Sequence, residues 1–329
     1  MTNIRIKEVE VYHPEYVVNS KKYVDYFKEH KGKDITNLLE ALGRKEYYQI
    51  NSSEENSLTM AIEVSKRVLE KAGMDGKDID MIIFSSQVPE LTVPTNAIFV
   101  HEAIQGKKDC IVYDSNANCA GMMIAVEQAS RYMLSSPHVN NALIVGSDYL
   151  SLVANPEEEI TYANFGDAAA AVLLEKTELE TGFIDAIYET DSSFKDNILF
   201  PNKGFSHFAL NKESLGYIHW KPFDGAVSLP YTFEKIEKLL DRNHLQIEDV
   251  NAFCFSQFAL SNIKRLQERF NLPEEKIAYV GDKYGYTGTS SPFVSLYEGI
   301  QSNRIQRGDI VLFWTIGGGH EFIAMLFKY

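Results

Sequence analysis

The strongest constraint in this chain is a pattern that occurs twice. Asp78-Ile79-Asp80-Met81-Ile82-Ile83-Phe84-Ser85 aligns with Asp249-Val250-Asn251-Ala252-Phe253-Cys254-Phe255-Ser256. A stretch with helical apolar periodicity precedes each copy. Each copy is followed by a second strand, a polar turn, a helix, and a third strand that ends in glycine. Those ends fall at Gly146-Ser147-Asp148 and Gly317-Gly318-Gly319. The shared order of elements constrains the fold more than the octapeptide match does, and it points to two similar halves.

The apolar runs define the class. Ile79–Phe84, Cys110–Tyr113, Ala142–Val145 and Ala168–Leu174 read as buried strands in the first half. Asn251–Phe255, Ile277–Val280, Ile310–Thr315 and Phe322–Phe327 are their counterparts in the second half. Leu58–Ala72, Phe233–Leu240 and Leu260–Phe270 have the apolar spacing of amphipathic helices. Strands alternating with helices imply an α/β layered fold with largely buried sheets. At 329 residues the chain can bury a large core without disulfide or metal staples.

Composition narrows the function classes. A formal net charge of −14 disfavours nucleic acid and anionic lipid as partners. The densest basic stretch, Lys21 to Lys33, is interleaved with Asp25, Glu29 and Asp34 and reads as a solvated helix face. The three cysteines, Cys110, Cys119 and Cys254, form neither a disulfide framework nor a metal-ligand spacing. Met1 to Glu8 has no signal-peptide core, and no apolar run reaches membrane length. The expected setting is the cytoplasm.

In open α/β sheets, ligands bind beyond the carboxyl ends of strands. Two packed halves bring equivalent strand ends together, which singles out Cys119, Ser256, Tyr286 and Gly317-Gly318-Gly319-His320. Cys119 follows a strand and a polar turn and is expected to open the helix beginning Ala120-Gly121-Met122. There the dipole and unpaired N–H groups lower a thiol's pKa. Cys110 and Cys254 fall in mid-strand and read as small core residues. The glycine triplet is either a tight turn or an oxyanion hole that aims a backbone N–H at a thioester carbonyl. Phe165-Gly166-Asp167 reads as a structural turn leading into a strand.

Together these pieces resemble the β-ketoacyl-ACP synthase III family of the thiolase-like superfamily. Asp114 to Gly121 is similar to the family's segment around its nucleophilic cysteine. Phe165-Gly166-Asp167-Ala168-Ala169 resembles its Phe-Gly-Asp-Gly-Ala stretch, and Gly317-Gly318-Gly319 resembles its C-terminal loop. The resemblance implies a thiolase-like fold with duplicated α-β-α-β-α layers. Residues 1–176 would carry the nucleophile, and residues 177–329 the glycine-rich loop. It implies acylation of Cys119 from coenzyme A or acyl-carrier-protein thioesters, no permanently bound cofactor, and a homodimer. It also implies an oxyanion hole formed by the N–H groups of Cys119 and Gly318.

The chain departs from the family where a histidine and an asparagine form the second oxyanion hole. Ser256 aligns with that histidine and Tyr286 with that asparagine. Ser261 replaces an arginine that helps dock the carrier protein, and Lys264 and Arg265 lie one turn further on. Losing one oxyanion donor commonly costs about 10²–10³ in rate. His320 is the histidine nearest the site and a candidate substitute base. Phe205, Phe208, Phe223 and Phe258 are candidates for shaping an acyl tunnel. The expected activity is acyl transfer with non-standard acceptor chemistry, in lipid or specialised-metabolite biosynthesis. The alternative is a non-catalytic, structural subunit beside an active thiolase-like partner.

Overall fold

The computed structural model describes residues 2–329. Its first sheet has five strands: β1 (Asn3–Tyr12), β2 (Met81–Ser85), β3 (Ile111–Ser115), β4 (Asn141–Asp148) and β5 (Ala168–Thr177). They lie in the order β1-β5-β4-β2-β3, with β2 parallel to β3 and β4, and β5 antiparallel to β1 and β4. The second sheet contains β6 (Gly182–Thr190), β7 (Ala252–Phe255), β8 (Ile310–Gly317) and β9 (Glu321–Lys328), in the order β7-β8-β9-β6. β7 is parallel to β8, and β9 is antiparallel to β8 and β6. The second sheet therefore repeats the first, with β6, β7, β8 and β9 in the places of β1, β2, β4 and β5. The repeat extends to register: Ile83 faces Ile144 and its counterpart Cys254 faces Phe313.

One strand is not repeated. The run Ile277–Val280 was expected to pair as β3 does, but it makes only a single parallel bridge, Phe253 with Ile277. Tyr279 turns its hydroxyl to the carbonyl of Gly43 at 2.7 Å, so side chains hold this segment where a ladder holds β3. Cys110 also differs from expectation. It precedes β3 and is half-buried, because the strand begins one residue later.

Alternation along each strand divides its side chains between two cores. Ile82 and Phe84 pack outward with Met60, Val64 and Val68 of α1 (Ser57–Ala72) and with Ala97 and Val100 of α2 (Asn96–Ala103). Ile83 packs inward with Met122, Met123 and Val126 of α3 (Gly121–Ser135). On the other sheet, Phe253 and Phe255 meet α4 (Leu229–Arg242) and α5 (Leu260–Phe270) through Ile236, Leu239, Ile263 and Leu266. Cys254 and Phe313 face inward toward Phe293 and Val294 of α6 (Ser291–Gln301). The result is five layers: α1/α2, sheet, α3/α6, sheet, α4/α5. The central pair lies between the two sheets, and most of the first turns of α3 and α6 are buried.

The connection from β6 to α4, residues 191–228, holds a two-residue hairpin (Ile198–Leu199 with His219–Trp220) and a helix, Phe205–Asn211. The basic stretch near the N-terminus is a helix, Lys21–Lys31, that buries Tyr23 and Phe27 and leaves its charges exposed.

Candidate active site

Cys119 lies in a 3-10 turn, Asn118–Ala120, and α3 begins only at Gly121. It therefore sits one turn before the helix it was expected to open. Asn118 adopts a left-handed φ of 52°. Its amide donates to Asn116 Oδ1 at 2.9 Å, and its side chain donates to the Gly318 carbonyl at 3.1 Å. That second bond ties the cysteine turn directly to the glycine loop. No side chain of the turn caps α3. Instead Thr289 Oγ1, from the other half, accepts the Met122 N–H at 2.7 Å and contacts Ser85 Oγ at 3.1 Å. Gly121 is required there, because a Cβ would sit 2.4 Å from Ser85 Oγ.

The expected lowering of the thiol pKa is overturned. Burial is the dominant effect and pushes Cys119 up to about 11. The Asp148 carboxylate behind it adds to the rise. Three neighbouring groups oppose it: the Tyr286 hydroxyl, the Gln87 side chain and the Gly318 N–H. Dipole stabilisation at a helix end acts within the first turn, and here the cost of desolvating the thiolate exceeds it. Asp148 is fully buried and accepts from Ser86 Oγ, the Gln87 N–H and the Thr289 N–H, each at 2.9 Å, and from Gln87 Nε2 at 3.0 Å. The thiol donates to Gln87 Oε1 at 3.8 Å.

Ser256 and Tyr286 converge on this sulfur. Tyr286 is buried, and its ring meets Phe258 edge-on at 5.0 Å. Burial first, then the charge of the neighbouring Cys119 sulfur, raises its hydroxyl pKa well above the ordinary tyrosine value. Tyr286 is threaded against the turn before β5: its N–H donates to the Asn164 carbonyl at 2.9 Å, and its carbonyl accepts from the Gly166 N–H at 3.0 Å. A Cβ on Gly166 would stand 2.0 Å from the Tyr284 carbonyl. The Phe165-Gly166-Asp167 turn thus positions the site as well as leading into the strand.

Cys119, Gly318, Ser256, Tyr286, His320 and Arg265 line one cavity of about 370 Å³. Lys264 faces a different cavity, so the structure separates the two cations. His320 is held in a left-handed conformation at φ 56°. Its ring stacks on Phe194 at 3.8 Å, its Nδ1 meets the Tyr231 hydroxyl at 3.1 Å, and burial lowers its pKa. Phe223 and Phe258 line the cavity. Phe205 is 58% exposed and Phe208 packs away from the cavity, so neither shapes a tunnel. Sequence reasoning did not assign Gln87, Asp148, Thr289 or Asn118. Only Asp148 had a visible signal, as a carboxylate at the end of a strand whose counterpart ends in the glycine triplet.

The five layers, with a cysteine at the strand ends facing a glycine loop from the other half, define a thiolase-like protein. Two descriptions match the sequence: 3-oxoacyl-[acyl-carrier-protein] synthase III over residues 113–192, and the C-terminal part of the same family over residues 240–329. A β-ketoacyl-[acyl-carrier-protein] synthase III from Clostridium perfringens is 31% identical over 84% of this chain and 86% of its own length. One from Coxiella burnetii is 27% identical over the full length of both. The crystal structure of 3-oxoacyl-[acyl-carrier-protein] synthase III from Aquifex aeolicus superposes with a TM-score of 0.86 at 25% identity, covering 99% of this chain and 100% of that one. The chain belongs to the β-ketoacyl-[acyl-carrier-protein] synthase III family of condensing, acyl-transferring enzymes. No helix among the described residues is long and apolar enough to cross a membrane.

Proposed function

We propose that this chain is acylated on Cys119 by a thioester of coenzyme A or acyl carrier protein, and passes the acyl group to an acceptor that needs no decarboxylation. The observation that carries this reading is that the buried Tyr286 lines the same cavity as Ser256 and Cys119, where its hydroxyl acts on the thiol. In acylation a bond forms between Cys119 Sγ and the carbonyl carbon while the bond to the donor sulfur breaks. The thiol proton leaves with the departing thiol. The N–H groups of Cys119 and Gly318 act on the developing oxyanion. In transfer, an amine, an alcohol or an already activated carbon attacks the thioester, and its proton returns to the Cys119 sulfur, with the Tyr286 and Ser256 hydroxyls as the route.

Decarboxylative condensation requires donors at the incoming thioester oxygen. Ser256 and Tyr286 stand where those donors would be, and both are weaker donors than an imidazole and an amide. His320 is not placed to replace them, because its Nδ1 is held by the Tyr231 hydroxyl and its ring is stacked on Phe194. Arg265, at the cavity mouth, is the cation placed to meet a phosphate of the donor. Incubation with a panel of acyl-CoA thioesters followed by intact-mass measurement tests the reading. Absence of any adduct on Cys119 refutes it.

A second reading draws on the replacement of the family's histidine and asparagine by Ser256 and Tyr286: the chain serves as a non-catalytic subunit beside an active thiolase-like partner. A Cys119→Ala chain that leaves such a complex fully active favours this reading over the first. We further propose that residues 1–176 and 177–329 are the two functional halves of one chain, and that two chains pair as a homodimer through the open edge of β3, in a reducing cytoplasm where three free cysteines persist. A specialised biosynthetic pathway fits the altered acceptor side.

A further inference from the structure

Arg44 is 4% exposed, and among the described residues no carboxylate is within ion-pair distance of it. A buried guanidinium normally requires an acid partner, since its desolvation is expensive. Here neutral acceptors surround it. Nε donates to Asn164 Oδ1 at 2.6 Å. One terminal nitrogen donates to the Gly281 carbonyl at 2.9 Å and to the Tyr279 hydroxyl at 3.2 Å. The other donates to the Phe258 carbonyl at 2.9 Å and to the Gln257 carbonyl.

These acceptors are not scattered. Gln257 and Phe258 directly follow Ser256. Asn164 carries the carbonyl that receives the Tyr286 N–H, and its side chain also donates to the Phe258 carbonyl at 3.3 Å. Gly281 belongs to the segment that leads to Tyr286, and its N–H is held by Gln257 Oε1 at 3.0 Å. This is the stretch that lacks a sheet ladder, with single bridges only, Ile277 to Phe253 and Tyr286 to Phe165. The rigid five-donor fork of arginine thus replaces missing backbone pairing at the point where both altered site residues are suspended.

We propose that Arg44 is a positioning residue for this site: its guanidinium fixes the Ser256 loop and the Tyr286 strap relative to each other, and so sets where the Tyr286 hydroxyl meets Cys119. The proposal rests on the reading that Cys119 is the working thiol. It needs no acyl substrate to be tested, because the Tyr286 bond acts on the thiol itself. The experiment measures iodoacetamide modification of Cys119 against pH in Arg44→Met and Arg44→Lys full-length chains, with the Cys119 peptide resolved by mass. Acyl-CoA labelling runs in parallel. In Arg44→Met the midpoint is expected to move upward by roughly one pH unit as the Tyr286 bond slackens, with a smaller shift in Arg44→Lys. Guanidinium ion added to Arg44→Ala should move it back. An unchanged or lowered midpoint in folded variants overturns the proposal, even if the melting temperature falls. If Arg44→Met does not fold, Gly281→Ala serves, since its Cβ would stand 2.3 Å from the Arg44 Nη1 and displace the fork while keeping the charge. Failure of acyl labelling in the unchanged chain, with the Arg44 shift present, overturns the acyl-transfer reading and leaves the positioning role standing.

Discussion

The Tyr286 hydroxyl stands beside Cys119 and favours its ionised form, and Ser256 stands beside that same hydroxyl. Three residues, from the turn after β3, the end of β7 and the run 277–286, therefore meet in one cavity. The arrangement favours the ionised thiol, while burial and the nearby Asp148 disfavour it. The balance lies toward the neutral thiol at neutral pH.

That balance gives a pH profile. With a thiol pushed up to about 11, the rate of Cys119 alkylation should rise about tenfold per pH unit from pH 7 toward pH 10, since only the thiolate reacts. Tyr286→Phe removes a hydrogen bond to the charged form. It should lower alkylation at pH 8 by at least about tenfold while leaving the fold intact. A midpoint near that of a free thiol would contradict the burial account.

Asp148→Asn should move the same midpoint downward, because it deletes the negative charge behind the sulfur. The change also faces an amide nitrogen toward N–H donors that now point at a carboxylate, so the melting temperature should fall. Faster alkylation at pH 8 in a less stable chain is the expected pair of results. Iodoacetamide kinetics and a thermal melt check them together.

Restoring the donors tests the assignment of the altered positions. Ser256→His combined with Tyr286→Asn should raise malonyl-thioester decarboxylation by about 10²-fold, the usual value of an oxyanion donor. Release of carbon dioxide from malonyl-CoA is the readout. An unchanged rate in a folded double variant would count against the placement of these two residues.

Packing makes a separate prediction. Gly121→Ala places a methyl group 2.4 Å from Ser85 Oγ, the group that meets the Thr289 cap of α3. Overpacking of this kind costs about 1–3 kcal/mol. Gly318→Ala meets nothing closer than Ile198 Cβ at 3.7 Å and should melt close to the unchanged chain. Thermal denaturation of the two variants distinguishes them.

Most of the architecture could be read from the order of apolar runs, because alternation splits each buried strand between two cores and leaves almost no polar residue to obscure the pattern. The strands at 3–12 and 182–190 were harder to see. β1 alternates with charged residues, and β6 is partly exposed, so neither forms a continuous apolar run. At the site, Cys119, Ser256, Tyr286 and Gly318 were legible because strand ends identify ligand positions. The thiol's raised pKa was not. It depends on Asp148 and on burial depth, and local sequence encodes neither. Arg44 was hidden for the same reason: all its partners lie 120 or more residues away along the chain.

The second sheet's missing fifth strand leaves the two halves unequal in what they can tolerate. The cysteine's half is locked by continuous ladders on either side of β2, so changes there disturb a sheet. The segment from Ile277 to Tyr286 is held by single bridges at its two ends and by individual side chains between them, so a side chain at its tip can change without breaking a ladder. Divergence of acceptor chemistry in such duplicated scaffolds should accumulate on that slack edge, while the thiol opposite stays as it is.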